Sequence, residues 1–367
     1  MKIANCKLQI DGLQTTSVLG LDIGGANLKA ATSTGIAKTE VFEIWRAPDQ
    51  LAARLRSLIA QFPPADLLAI TMTAELADCF STKTEGVAAI VHAAQDAAGA
   101  TPVAVWQTNG QFASPASAIK QPLSVAAANW HALATWAGRL APRGKALLVD
   151  IGSTTTDIIP LQDGRPVARG QTDVGRLLNR ELVYTGLRRT PLCAVANSVM
   201  LRNQPCPVAS ELFATTLDVC LLLGLIPEDA HDRNTADGQP ATICCAYGRI
   251  SRMVCCDTDE IDLAEACSIA RSFFEAQRQQ LSAAIDAVVA RDDGRLETAI
   301  VSGSGASLAR IFFAESHTTR EARQVSLANT LSPDLAEAAC AYAVAVLAAE
   351  ASGDGGMKSG ERRIKKG

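Results

Sequence analysis

Two near-copies of one short pattern, 128 positions apart, constrain this chain more than any other feature of its 367 residues: Leu21-Asp22-Ile23-Gly24 and Val149-Asp150-Ile151-Gly152. Each ends a run of apolar residues with a carboxylate and a glycine, and a second strand-like run follows at once. A strand–acid–glycine–strand unit that occurs twice predicts two like-folded lobes. In the first copy the strands are expected over 17–23, 28–33 and 38–45, and in the second over 145–150, 154–161 and 165–171. Turn glycines and short alternating apolar segments make each set an antiparallel meander.

Each meander leads into mixed α/β sequence. After the first come a helix opened by Pro48, a buried strand over 67–72, a helix over 85–98, a strand over 102–106 and an Ala-rich helix over 124–140. After the second, 174–295 reads as a mostly helical insertion, with Ser210 capping a helix that runs to Leu223. A strand over 298–301 and a helix opened by Ser332-Pro333-Asp334 close the lobe. The expected divisions are a leader over 1–17, a first lobe over 18–144, a second over 145–351, and a disordered basic tail over 352–367.

Composition narrows the function classes. Hydrophobic residues at 48% and charged residues at 20% describe a folded chain rather than a disordered one. A net charge of −4 offers no broad basic surface, so nucleic acid is not an expected partner. The opening lacks a secretory pattern, and no apolar stretch approaches the roughly 20 residues of a membrane span. A cytoplasmic protein with no membrane partner is expected, and a homo-oligomer is compatible with that reading. The 11 cysteines include no CxxC pair. They read as free thiols in a reducing compartment ahead of a zinc site from Cys244, Cys245, Cys255 and Cys256.

The chemistry-bearing residues cluster at the ends of strands. In Asp22-Ile23-Gly24-Gly25-Ala26-Asn27-Leu28-Lys29, a buried carboxylate needs a cation or several donors. The glycines let backbone N–H groups approach phosphate oxygens, and Lys29 adds a charge. In Asp150-Ile151-Gly152-Ser153-Thr154-Thr155-Thr156-Asp157, four hydroxyl residues stand between two acids, a set suited to phosphate oxygens and Mg²⁺. Each motif alone is also compatible with a structural hairpin; the repetition is what favours a ligand. Gly303, Ser304 and Gly305 follow a strand and precede a helix, as an anion platform or as a tight turn. Glu75 and Asp78 follow another strand, where either could orient a metal-bound water, act as a general base or hold a substrate amine, or be an ordinary first-turn acid. Arg188 and Arg189 are either an anion clamp or a solvated basic turn. The four histidines share no metal-ligand spacing.

The two acid–glycine loops, with 301–307 in the expected order, resemble the sugar kinase, Hsp70 and actin superfamily over about 18–350. That resemblance implies a two-lobed actin-like ATPase fold with a helical insertion in the second lobe. More narrowly, 19–29, 72–80, 148–160, 186–192, 237–241 and 247–257 resemble the hydantoinase/oxoprolinase-related proteins linked to tetrahydromethanopterin-dependent one-carbon transfer. The string Glu75-Leu76-Ala77-Asp78-Cys79-Phe80 together with both loops carries the match.

That narrower resemblance implies a transferase of methanofuran or methylofuran synthesis. It would join an aminomethylfuran methyl diphosphate to the phenol of a tyramine- or tyrosine-derived acceptor and release diphosphate. Under it, Asp22 and Asp150 would hold Mg²⁺. Gly24, Gly25, Asn27 and 152–156 would hold phosphate oxygens, and Lys29, Arg188 and Arg189 would contact diphosphate or a carboxylate. Glu75 or Asp157 would deprotonate the phenol, with both reactants enclosed between the lobes. The alternatives are an ATP-dependent small-molecule kinase, in which the same loops hold ATP, and a nucleotide-binding regulator.

Overall fold

The computed structural model describes residues 16–316 and 318–353. Most of the expected leader, the tail beyond Gly353, Cys6 and His317 lie outside the described residues. The chain divides into two compact units, Met1–Ala132 with Cys340–Gly367, and Leu133–Ala339.

The first unit is built on a six-stranded sheet. β1 (Val18–Ile23), β2 (Asn27–Thr32) and β3 (Ala37–Val41) form the antiparallel meander. β4 (Leu67–Met72) and β5 (Val103–Trp106) then add in parallel beside β1, and the short β6 (Phe112–Ala113) closes the sheet in the order β3-β2-β1-β4-β5-β6. Every residue of β1 and β4 is buried, as near-continuous apolar runs covered on both faces require. Leu21, Ile23, Leu28, Ile70 and Met72 pack with Leu55, Val87 and Ile90 from the helices Leu51–Ile59 and Lys83–Ala98. Truncating any one of these large side chains to Ala would cost about 2–5 kcal/mol.

The second unit repeats the order. β7 (Lys145–Ile151) and β8 (Thr156–Gln162) are an antiparallel pair, and β9 (Arg165–Pro166) and β10 (Leu182–Val183) both pair with β8 in the third-strand position. β11 (Ser198–Leu201) and β12 (Gln204–Pro207) form a separate hairpin inside the insertion. β13 (Thr298–Ser302) and β14 (Arg323–Ser326) extend β7 in parallel. An antiparallel 3-2-1 meander extended by parallel strands 4 and 5, once in each unit, is the actin-like arrangement, and the duplicated motifs sit at the end of strand 1 in both.

Several local expectations need correction. The region 124–140 is not one helix: Ala127 has φ 47°, and the regular helix is Asn129–Ala137. The third strand of the second meander stops at Pro166 rather than Gln171. The insertion carries three short strands as well as helices. Within it Ser210 caps nothing, because the helix there is Thr216–Leu222, whose cap residue Thr215 donates its N–H to Asp218 Oδ2 at 2.8 Å. The closing helix is broken into Pro333–Glu337 and Ala339–Gly353.

Candidate functional site

The β7–β8 hairpin places Asp150 opposite Asp157 and Ile151 opposite Thr156, and Gly152 N–H donates to Thr155 O at 2.9 Å to close the turn. Residues directly opposite in an antiparallel pair project to the same face, so two carboxylates stand side by side. Their repulsion is relieved on one side. Arg176, 2% exposed, donates from Nη2 to Asp157 Oδ1 at 2.5 Å and to Glu181 O at 2.9 Å. Glu181, fully buried, in turn accepts backbone N–H groups of Arg169 and Gly170 at 2.8 Å and pairs with Arg291. Asp157 is thus held in a buried ionic network, whereas Asp150 is half-buried at the strand end.

The turn 152–155 is held from behind. Leu187 N–H donates to Gly152 O at 2.9 Å, and Arg188 and Arg189 N–H donate to Ser153 O at 3.0 and 2.9 Å. In a trans peptide the N–H points opposite to the C=O. Fixing these two carbonyls therefore turns the N–H groups of Ser153 and Thr154 away from the supporting segment, on the side an anion would approach. The hydroxyls of Ser153 and Thr154 lie 3.4 Å apart beside them, partly exposed. Thr156 differs: it is buried, and its hydroxyl donates to Thr185 O at 2.7 Å.

The support itself is anchored by residues the sequence reading missed. Gln277, 1% exposed, donates to Thr185 Oγ1 and Gly186 O, both at 2.9 Å, and Gly186 N–H donates to Thr190 Oγ1 at 3.0 Å. Gln277 lies on the helix Leu263–Val289 in the buried stripe Ile269, Phe273, Gln277, Leu281. A polar residue at an apolar stripe position was the available signal.

From the other side, the Gly303-Ser304-Gly305 turn packs directly on the end of β7. Gly305 N–H donates to Ile151 O at 2.9 Å, and a Cβ on Gly303 would lie 2.5 Å from Asp150 Oδ1. The helix Ala306–Glu315 starts here with Gly305 as its cap and no side-chain cap bond. Ser302, the last residue of β13, pairs in register with Asp150; its buried hydroxyl has no hydrogen-bond partner among the described residues. The second unit thus brings together Asp150, 152–155, Arg188 and 303–305 around the end of β7. Asp157 and Thr156 are turned into the supporting structure. Arg188 pairs with Asp232 and Arg189 is exposed.

The first unit repeats much of this. Asp22 opposes Lys29, Ile23 opposes Leu28, and Gly24 N–H donates to Asn27 O at 3.0 Å. Gly25 O and Ala26 O accept from Ile44 and Phe42 N–H at 3.0 Å, the counterpart of the Leu187–Arg189 support. Thr73 N–H donates to Ile23 O at 3.0 Å, as Gly305 does to Ile151 O. Thr71 pairs in register with Asp22 just as Ser302 pairs with Asp150, and its buried hydroxyl likewise has no hydrogen-bond partner among the described residues. Glu75, 1% exposed, follows β4 in a turn segment, its backbone pressed by the helix Lys83–Ala98: a Cβ on Gly86 would sit 2.2 Å from Glu75 O. Asp78 is exposed.

Other candidates are set aside by their surroundings. Among the described residues no group of three or more His, Cys, Asp or Glu is placed to hold a metal ion. Burial pushes the Cys220 thiol up to about 12 and raises Cys79 as well, so neither is an activated nucleophile. Among the described residues no helix is long and apolar enough to cross a membrane.

The hydantoinase/oxoprolinase family model matches residues 66–351. The chain belongs to that family. It is 33% identical over 333 residues to the (4-{4-[2-(gamma-L-glutamylamino)ethyl]phenoxymethyl}furan-2-yl)methanamine synthase of Methanocaldococcus jannaschii, covering 90% of this chain and 97% of that one. The synthase of the same name from Methanococcus vannielii is 33% identical over 201 residues, 55% of this chain and 89% of its own. Among solved structures, the activator of the 2-hydroxyisocaproyl-CoA dehydratase from Clostridium difficile with bound ADPNP aligns over 95% of this chain and 100% of its own, at 11% identity and a TM-score of 0.42.

Proposed function

We propose that this family member is a transferase of methanofuran or methylofuran synthesis that joins an aminomethylfuran methyl diphosphate to the phenol of a tyramine- or tyrosine-derived acceptor and releases diphosphate. The observation that carries this reading is the 33% identity, along 90% of the chain, to a synthase named for a phenoxymethylfuran product with an aminomethyl arm. The strand-end loops supply what such a reaction requires. The bond between the furan methylene carbon and the diphosphate oxygen breaks with its electron pair leaving on diphosphate. The phenol oxygen forms the new C–O bond, and its proton passes to a base.

In this reading the N–H groups of Ser153 and Thr154 and the hydroxyls of 153–155 hold the leaving diphosphate, where charge grows in the transition state. Gly303, Ser304 and Gly305 add the start of a helix on the other side of Asp150. Gly24, Gly25, Asn27 and Lys29 are proposed phosphate ligands of the first unit on the same chemical grounds. Arg188 and Arg189 are proposed to add positive charge near the second loop. Glu75 is the proposed proton acceptor, while Asp157, tied to Arg176, is proposed to shape the field around Asp150.

A divalent cation fits this donor set. Among the described residues no all-protein cage exists, and a single strand-end carboxylate in each unit, Asp22 or Asp150, with a buried hydroxyl in register beside it suits Mg²⁺, which keeps waters and takes phosphate oxygens. When bound, Mg²⁺ would neutralise diphosphate charge.

Product identity tests the proposal. Purified protein with Mg²⁺, the aminomethylfuran diphosphate and tyramine-type phenols is expected to give an aryl ether and diphosphate. ADP and a phosphorylated acceptor, formed from ATP, would replace this reading with a kinase.

A further inference from the structure

Gln277 interrupts an otherwise apolar series on the helix Leu263–Val289. Ile269, Phe273, Leu281 and Ile285 are buried at the same four-residue spacing, and Gln277 is 1% exposed among them. Ile269 and Phe273 pack with Val199 and Ile250 of the insertion, whereas Leu281 and Ile285 pack with Val149 of β7 and Val301 of β13. A leucine would fill such a place with no amide to satisfy, so packing alone gives no reason for glutamine.

The amide is fully committed as a donor. Gly186 O can only accept, so the atom 2.9 Å from it is Nε2, whose second hydrogen goes to Thr185 Oγ1, also at 2.9 Å. That direction obliges the Thr185 hydroxyl to donate onward, to Thr190 Oγ1 at 3.2 Å, where the Gly186 N–H also ends at 3.0 Å. Thr190 O accepts the Thr216 N–H at 3.0 Å, which ties this segment to a second helix of the insertion. The N–H and the C=O of Gly186 are therefore both held by buried side chains. Directly after them come the three N–H groups of 187–189 that grip Gly152 O and Ser153 O.

We infer that Gln277 and Thr190 are positioning residues for the leaving diphosphate, acting through Gly186 on the 152–155 turn. Both are buried behind the support and fix where the Gly152 and Ser153 carbonyls are held. They thereby fix where the N–H groups of Ser153 and Thr154 point. This role rests on the reading of 152–155 as a phosphate loop. Small displacements of such donors cost most where charge develops in the transition state.

Hydrogen exchange and binding of inorganic diphosphate with Mg²⁺, both on the full chain, test this role. The variants are Q277M, which keeps an unbranched side chain and removes both donors, and the pair T190V and T190S. In Q277M and T190V the amides of 187–189 are expected to exchange at least ~10-fold faster relative to those of β13. Diphosphate should bind at least ~10-fold more weakly, measured well below each melting temperature. In turnover, kcat should fall while the KM for the phenol holds. T190S, which keeps the hydroxyl, should restore the wild-type values. A variant that melts earlier yet keeps wild-type exchange at 187–189 would overturn the inference and leave Gln277 a residue of the core. Faster exchange with unchanged diphosphate affinity would overturn it as well, because the support would then not set the loop. If Q277M does not fold, T190V against T190S decides in the same way. Wild-type protein that binds no diphosphate would sink the phosphate-loop reading, and exchange at 187–189 would then decide by itself whether Gln277 and Thr190 position the turn.

Discussion

Gly186 lies so close to the Gly152 carbonyl that a Cβ on it would sit 2.6 Å from that oxygen and 2.7 Å from Thr154 N. The contact is backbone against backbone, so any larger residue must push the 152–155 turn outward. Gly186→Ala is expected to cut turnover at least ~10-fold while costing about 1–3 kcal/mol of stability, the range for overpacking. Steady-state rates set beside urea denaturation separate the two effects, and wild-type turnover in a destabilised variant would count against the loop's role.

Ser302 beside Asp150, and Thr71 beside Asp22, are buried hydroxyls with no hydrogen-bond partner among the described residues. Replacing such a group by an apolar one of similar shape should leave stability unchanged or slightly raised. If both hydroxyls instead complete the surroundings of a carboxylate-bound cation, S302A and T71V will need at least ~10-fold more Mg²⁺ for half-maximal turnover. Magnesium titrations and thermal melts decide it. A lower melting temperature with an unchanged magnesium requirement would mark them as structural.

The Arg176–Asp157 pair is a different kind of feature. Both groups are removed from water, and deleting one leaves the other buried without its ion-pair partner. D157N is expected to lose about 3–5 kcal/mol of unfolding free energy, whereas the double variant D157N/R176M should recover part of it. Additive losses in the double-mutant cycle would show that the pair is not coupled.

His131 gives the first unit an acid sensitivity. Its ring lies 5.8 Å from that of Trp106 and 5.2 Å from that of Trp130, and burial lowers its pKa from 6.5 to about 4. The unfolded chain therefore binds the proton more readily than the folded one. Its contribution is intact above pH 6.5, falls as the pH drops toward 4, and is constant below. From pH 7 to pH 5 the loss is about 2 kcal/mol. Urea denaturation at the two pH values should show that loss in the wild type and not in His131→Phe.

The architecture was legible because its signals are local and repeated. An apolar run ending in Asp-Ile-Gly must stop at a turn, and finding it at 22 and again at 150 fixed strand 1 of each unit. What supports the turns was not legible. Gln277 is 91 positions from the Gly186 carbonyl it holds, and only the folded chain reveals that pairing. The cap at 210 failed because Ser210-Glu211 imitates a helix start. The true start is Thr215, whose N–H donates to the Asp218 carboxylate three residues on. Asp157 looked equivalent to Asp150 as an acid at the loop's edge, and nothing local announced that Arg176 would claim it.

The bond that breaks is the most direct test of the account. A donor carrying oxygen-18 between the furan methylene carbon and diphosphate should, with the phenol and Mg²⁺, deliver all of its label to the released diphosphate and none to the ether. Label retained on the furan methylene carbon would mean cleavage between phosphorus and oxygen, and would contradict a transferase that expels diphosphate from carbon.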